Sequence, residues 1–319
     1  MSTLEPPFSA LRVTLKRMAA QDVVLFELRH PDGHDLPAFT AGAHLTVETP
    51  AGMRRNYSLC SDPSDLQTWQ IAVKRDARGR GGSIAMADQL AEGSLIKVSQ
   101  PRNNFELDPR AKQVLFIAGG IGITPILSMM RHLKRTGTVA FRLIYCTRDA
   151  DHSAFLPELQ QEFPGLATLH HDGGKLSRAL DLWPEFETPR AAHVYCCGPK
   201  GLMDSVADMS GHWPSGSIHF ESFGIDASTL PPNTSFAVTL KKSGAKVVVG
   251  ATQSILEALR ANGHRVASSC ESGTCGTCRT TLIAGQADHR DMVLLDDEKA
   301  HQIMVCVSRA KSAELVLDL

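Results

Sequence analysis

Neither sign of charge prevails in these 319 residues: 33 lysines and arginines face 34 aspartates and glutamates, a formal net charge of −1. Nucleic acid and anionic lipid both demand a broad positive field, so neither is the expected partner. No apolar run approaches the roughly 20 residues needed to cross a bilayer, which argues against a membrane span. The opening MSTLEPPFSALRVTLKRM has no basic end followed by an apolar core, which points away from a secretory signal and towards the cytoplasm. Repeats and low-complexity tracts are also missing. With 43% apolar and 6% aromatic residues the composition is that of a soluble globular chain, not a disordered or fibrous one. At roughly 100–200 residues per domain, the length allows two or three cores.

What is present begins with eight cysteines, at 60, 146, 196, 197, 270, 275, 278 and 306. Without an export signal, disulfides are not the expected use. Cys60, Cys146, Cys196 and Cys197 lie in apolar, strand-like text, where buried free thiols are common. The last four run Cys270-x4-Cys275-x2-Cys278 and, after 27 intervening residues, Cys306. That is the plant-type [2Fe–2S] spacing. The intervening Ser268, Ser269, Ser272, Gly273, Thr274, Gly276 and Thr277 are small enough to bring backbone N–H groups against sulfur. A structural four-cysteine zinc site is the alternative, though it usually pairs two short hooks.

The chain's texture changes twice. Up to about residue 110, short β-like stretches (11–18, 22–30, 44–49, 56–60, 69–75 and 95–101) are divided by turn signals, with one helical stretch at 83–90. This predicts an antiparallel β-barrel. From Val114 strands and helices alternate, beginning with VLFIA at 114–118 and a helix over 124–135 in which Thr124 is the expected N-cap and Pro125 the first helical residue. This predicts a doubly wound parallel α/β sheet. DASTLPPNTS at 226–235 reads as a linker. A hairpin, a helix ending near Gly263 and a last strand at ELVLDL follow, giving an α+β β-grasp arrangement. The organisation expected is 1–110, 111–225, a linker at 226–234, and 235–319.

Two further constellations carry chemistry. Arg55-Asn56-Tyr57-Ser58 combines a forked cation, a planar ring and a hydroxyl on one strand, a set able to bind the phosphate and ring of a flavin. Downstream, Arg78-Gly79-Arg80-Gly81-Gly82-Ser83 precedes the helix, with Ser83 the expected cap, and offers an anion nest. Taken alone, the first is an ordinary strand tetrapeptide and the second a solvated turn; their order within one barrel strengthens both.

Gly119-Gly120-Ile121-Gly122-Ile123-Thr124-Pro125 follows a buried strand and opens a helix. It has Pro125 where the standard dinucleotide fingerprint has its third glycine, and no acidic residue stands about 20 positions on. The physics survives, since glycines admit a pyrophosphate to a helix N-terminus. Cys196-Cys197-Gly198-Pro199 repeats the strand–turn–helix form, although Cys197 by itself reads equally well as a buried thiol.

Together, Arg55-Asn56-Tyr57-Ser58, GGIGITP, YCCGP and the C-terminal cysteines resemble the FMN-containing oxygenase reductases, over essentially the whole chain. The resemblance implies an FMN-binding barrel, an NADH-binding α/β domain and a plant-type ferredoxin domain. Such a protein passes electrons from NADH through FMN and [2Fe–2S] to a Rieske-type, non-haem-iron oxygenase. Phthalate dioxygenase is the nearest implied partner, with vanillate and phenoxybenzoate systems left open.

Position by position, the resemblance implies FMN contacts from Arg55, Asn56, Tyr57, Ser58, Ala72, Val73, Lys74, Gly81, Gly82 and Ser83. Asn56 departs from the family pattern, which has a hydroxyl residue there. NADH contacts are implied for Gly120, Gly122, Pro125, Arg148, Cys197, Gly198, Pro199, Met203 and Glu221, with Thr124 and Phe223 beside the flavin–nicotinamide stack. Ser58, Thr124, Cys197 and Glu221 are the expected catalytic set, and Cys270, Cys275, Cys278 and Cys306 the iron ligands. NADH is expected over NADPH mainly by resemblance; Asp149, Asp151 and Asp172 would also oppose the phosphate that Arg148 would invite. Asp288, Asp291, Asp296, Asp297 and Glu298 form either an acidic docking face or a solvated surface, and the chain is expected to act as a monomer.

Overall fold

The computed structural model describes residues 8–77, 81–137, 139–223, 232–268, 271, 273, 276–291 and 293–319. Arg78, Gly79, Arg80, most of the expected linker, Ser269, Cys270, Ser272, Thr274 and Cys275 lie outside the described residues. The chain divides into two compact units, Glu5–Ser222 and Phe223–Leu319.

The first unit contains two sheets. Strands β1 (Phe8–Ala20), β2 (Val23–Arg29), β3 (His44–Glu48), β4 (Arg54–Ser58), β5 (Trp69–Lys74) and β6 (Leu95–Ser99) form a six-stranded antiparallel sheet in the order β4-β3-β6-β1-β2-β5. A bridge between Leu59 and Ile71 ties the two outer strands together, and the sheet closes into a barrel. Strand alternation explains the interior: Trp69, Ile71 and Val73 of β5 pack inside with Phe26, Leu28, Leu45 and Val47, while Ala72 points to the outer face. Helix α1 (Gly82–Gln89) lies between β5 and β6 in sequence.

The second sheet is parallel, in the order β11-β10-β7-β8-β9. Its elements run β7 (Gln113–Gly119), α2 (Ile123–Thr136), β8 (Ala140–Thr147), α3 (Leu156–Glu162), β9 (Ala167–His171), α4 (Trp183–Phe186), β10 (His193–Cys197), α5 (Lys200–Met209) and β11 (Ile218–Glu221). The strand order reverses between β7 and β10, which makes their carboxyl ends the switch point where doubly wound sheets bind ligands. The barrel's outer face shares one apolar cluster with this sheet: Val23, Leu25, Ala41, Cys60 and Ala72 join Phe116, Ile126, Met129, Met130 and Tyr195.

Two helix starts differ from expectation. A 3₁₀ turn, Gly120–Gly122, feeds directly into α2, so the N-cap is Gly122 and Thr124 lies one residue inside the helix. The Thr124 hydroxyl instead donates to the Ile121 carbonyl at 3.0 Å, and Pro125 is the third helical residue, still in the first turn, where its missing N–H costs no helical hydrogen bond. At α1 the left-handed Gly81 (φ 90°) starts the helix and is its N-cap. Ser83 is not the cap; its oxygen accepts from the Asp76 N–H at 3.1 Å.

The second unit holds β12 (Phe236–Leu240), β13 (Lys246–Val249), α6 (Ile255–Ala261), β14 (Arg279–Ala284), β15 (Ala287–Asp288), β16 (Gln302–Met304), β17 (Arg309–Ala310) and β18 (Glu314–Leu317). Its mixed five-stranded sheet has the order β13-β12-β18-β14-β16, with β12 and β18 parallel. Ser254 opens α6 with a reciprocal capping box to Glu257, and Ile255, Leu256, Ala258 and Leu259 fill the core over the sheet.

Candidate functional site

Strand β4 delivers its four signature residues in register with β3, Ser58 opposite His44 and Asn56 opposite Thr46. The Thr46 hydroxyl donates to Asn56 Oδ1 at 2.8 Å, so the residue that departs from the family pattern is held by a cross-strand bond. Tyr57 packs on the barrel core, and burial pushes its phenol up to about 12, keeping it neutral. Ser58 is 4% exposed and its buried hydroxyl has no partner. An orphaned buried hydroxyl carries a desolvation penalty of roughly 1–3 kcal/mol, so this position suits a ligand atom. The Arg55 guanidinium is steered by a 2.7 Å bond to the Arg54 carbonyl. Its side chain also runs along Gly82, where an added Cβ would stand 3.2 Å from Arg55 Cγ and Nε. The barrel thus brings Arg55 to the N-terminus of α1 and meets the requirements of a flavin phosphate and ring. Val73 faces the barrel interior, leaving Ala72, Lys74 and the β5 backbone on the other side.

The parallel sheet brings its two glycine turns together. Ala118, Cys197 and Glu221 stand side by side at the carboxyl ends of β7, β10 and β11. A Cβ on Gly119 would lie 2.5 Å from Pro199, and one on Gly198 would lie 2.9 Å from the Gly119 Cα. The turns therefore touch backbone to backbone, which leaves an open edge that a pyrophosphate can approach closely. Strand β5 runs beside the Gly120–Gly122 turn, so the two candidate sites are neighbours within one unit. Cys197 is fully buried; burial first, then the Glu221 charge, holds its thiol well above the ordinary range. It is a neutral S–H, suited to positioning a ligand and unsuited to nucleophilic attack.

The other expected residues are dispersed. Arg148 is exposed, its Nη1 3.4 Å from His152 Nε2 and its stem against the Gly174 turn. Met203 is 2% exposed in the cluster between α5 and the sheet, and Phe223 is 44% exposed in the second unit. One contributor was missed at the sequence level: Tyr145 donates to the Gly120 carbonyl at 3.1 Å and fixes the first glycine turn. A lone polar tip inside the apolar strand FRLIYC was the available signal.

In the second unit Cys278 and Cys306 are 3% and 2% exposed. Cys306 sits in a tight turn closed by the Ser308 N–H on the Met304 carbonyl at 3.0 Å. Gly273 (φ 78°) passes so close that an added Cβ would meet Val307 Cγ2 at 2.7 Å and Asp291 Cα at 3.2 Å. Glu271, itself at φ 51°, accepts from Arg260 at 2.8 Å and from Ser268 at 2.9 Å. Two buried thiols, with Gly273 pressed against the turn that carries Cys306, fit thiolate ligation of a compact cluster; Cys270 and Cys275 lie outside the described residues. The acidic run is engaged within its own unit. Asp288 pairs with Arg290 at 2.6 Å, Asp296 with Lys299 at 2.7 Å and Glu298 with Arg279 at 2.6 Å. Asp291 accepts from the Leu294 N–H at 2.8 Å and Asp297 from the Glu298 N–H at 3.1 Å.

Known families match in the same order. Residues 10–107 match an oxidoreductase FAD-binding domain, 116–208 an oxidoreductase NAD-binding domain and 238–311 a 2Fe-2S iron-sulfur cluster binding domain. The reductase subunit of phthalate 4,5-dioxygenase from Pseudomonas putida is 56% identical, over 99% of this chain and 98% of its own. Phthalate dioxygenase reductase from Burkholderia cepacia is 55% identical, again over 99% and 98%. A solved phthalate dioxygenase reductase structure superimposes with a TM-score of 0.91 at 55% identity, covering 98% of both chains. The chain belongs to the phthalate dioxygenase reductase family. It is an oxidoreductase that carries electrons from NADH through a flavin to [2Fe–2S] for an oxygenase partner, with FMN as the flavin. No helix among the described residues is long and apolar enough to cross a membrane.

Proposed function

We propose that this reductase supplies the Rieske-type, non-haem-iron component of an aromatic-ring oxygenase, and that phthalate is that oxygenase's substrate. The substrate reading is supported by the 56% and 55% identities to two phthalate system reductases, against 40% for phenoxybenzoate dioxygenase subunit beta and vanillate O-demethylase oxidoreductase. The observation that carries the electron-transfer reading is the adjacency of β5 to the Gly120–Gly122 turn, with the orphaned Ser58 hydroxyl in the same unit. FMN, when bound, accepts a hydride and releases electrons singly, the conversion required between a nicotinamide and a one-electron acceptor.

The chain's own residues bind and orient. Arg55 and the Gly81-Gly82-Ser83 turn hold the flavin phosphate, Tyr57 covers the ring, the Ser58 hydroxyl donates to a ring atom, and Asn56, Ala72, Lys74 and the Val73 backbone line its edge. Gly120, Gly122, Thr124, Pro125, Gly198 and Pro199 admit the dinucleotide, Met203 shapes the wall, and Arg148 meets the adenosine side. Cys197 and Glu221 orient the nicotinamide, with Phe223 beside the stack. No residue has to act as a general base. Cys270, Cys275, Cys278 and Cys306 hold the cluster. The domain organisation proposed is 1–110, 111–225, a linker at 226–234 and 235–319, in a cytoplasmic monomer.

The test uses one preparation of the intact protein. Extracted FMN, equimolar iron and acid-labile sulfide, and NADH-dependent cytochrome c reduction are expected. Coupled to purified phthalate dioxygenase it should support product formation; coupling to a vanillate system in preference would overturn the substrate reading.

A further inference from the structure

Arg131 lies seven residues beyond Thr124 on α2, away from both candidate sites, yet it is among the most heavily bonded side chains in the first unit. Its Nη1 donates to the Cys60 carbonyl at 2.7 Å and to Gln70 Oε1 at 3.2 Å. Its Nε and Nη2 grip the Glu162 carboxylate at 3.0 and 2.6 Å, in the two-point geometry that only a guanidinium provides. The side chain is 14% exposed.

The barrel partners are not arbitrary positions. Cys60 follows Ser58 by two residues, and Gln70 precedes Ala72 by two. The Cys60 N–H donates to the Gln70 carbonyl at 2.9 Å and Gln70 Nε2 to Glu27 at 2.9 Å, so the two barrel anchors form one bonded patch. On the other side, α2 starts at the Gly120–Gly122 turn and α3 ends at Glu162. One guanidinium thus ties the two strands expected to carry the flavin to the helix expected to carry the nicotinamide.

We propose that Arg131 is the positioning residue that sets the distance between flavin and nicotinamide, acting through β4, β5 and α2 without touching either group. The proposal rests on the flavin and nicotinamide assignments above. Hydride transfer is steeply sensitive to distance, and about 1 Å of misplacement costs on the order of 100-fold in rate. Lysine cannot replace the fork: a single ammonium on a flexible stem cannot hold Glu162 at two points while also reaching the Cys60 carbonyl.

The experiment compares holoenzyme variants by rapid-mixing reduction with NADH, with flavin content and the NADH dissociation constant measured on the same samples. Arg131→Met combined with Glu162→Gln removes the fork without stranding a buried charge. It should keep its FMN and bind NADH within about twofold, yet reduce flavin at least tenfold more slowly at saturating NADH, with a weakened long-wavelength charge-transfer band. Arg131→Lys should fall between the two. Arg135→Ala breaks another cross-sheet ion pair, Arg135 to Asp62 at 3.4 Å, and should keep the wild-type rate. A double variant that only melts earlier, with the rate and band of wild type, would overturn the proposal. Ser58→Ala serves as the separate check: if it alters neither FMN affinity nor reduction, the flavin-site assignment itself fails.

Discussion

Gly122 has no room for a side chain, because a Cβ there would stand 2.1 Å from the Cys197 carbonyl oxygen and 2.5 Å from its carbon. That contact fuses the two glycine turns into one ligand edge. Gly120, two residues earlier, has φ 52° and nothing within 4 Å of where its Cβ would be.

The pair therefore separates two kinds of glycine requirement. Gly120→Ala meets only the left-handed backbone cost of roughly 1–2 kcal/mol and should lower the melting temperature by a few degrees. Gly122→Ala forces backbone apart and should weaken NADH binding at least tenfold as well. Calorimetry alongside NADH titration checks both.

Ser58→Ala should act with opposite signs on the two forms of the protein. Without FMN, the orphaned hydroxyl is relieved and stability should hold or rise by up to about 1 kcal/mol. With FMN, one hydrogen bond is lost and flavin affinity should fall roughly five- to tenfold. Urea unfolding and flavin titration of wild-type and variant apoprotein read the two effects.

Alkaline pH should destabilise the first unit in a defined window. Burial raises Cys60 and Cys196 to about 12 and Cys146 to about 11, each from an ordinary value near 9. Tyr57 rises to about 12 from 10. The folded state keeps these protons where the unfolded chain has lost them, so the stability they contribute is full below pH 9 and declines above it. Each group adds a slope of about 1.4 kcal/mol per pH unit, and Tyr57 joins only above pH 10. Urea midpoints under reducing conditions from pH 8 to 10.5 should fall, less steeply by one proton in Cys60→Ala.

Cys278→Ser and Cys306→Ser should each abolish the iron–sulfur absorbance and cut NADH–cytochrome c reduction by more than tenfold. NADH–ferricyanide activity, which needs only the first unit, should remain within about twofold. Iron analysis with the two assays on one sample decides it.

Much of this was readable from residues alone. Alternation in β1 to β6 and continuous apolar strands from β7 announced the barrel and the parallel sheet, because strand period and burial are local properties. The cysteine spacing was legible because a metal imposes geometry directly on sequence. Helix starts were less so: Thr124 and Ser83 are good caps by type, but the Gly120–Gly122 turn and left-handed Gly81 moved the starts upstream. The couplings of Arg131 to Cys60 and of Tyr145 to Gly120 were invisible, since their partners lie 71 and 25 residues away.

The apolar cluster that Val23, Leu25, Ala41, Cys60 and Ala72 share with the parallel sheet decides where this polypeptide can be cut. A fragment ending near residue 110 would carry that face bare to water and would aggregate rather than fold, so the first two modules are inherited as a pair. The second compact unit, Phe223–Leu319, builds a core of its own from Phe236, Val238, Leu256, Leu259, Leu282 and Leu315. Recombination, natural or in the laboratory, therefore has a workable breakpoint at that boundary, and a different electron outlet can be grafted onto the same NADH-oxidising half.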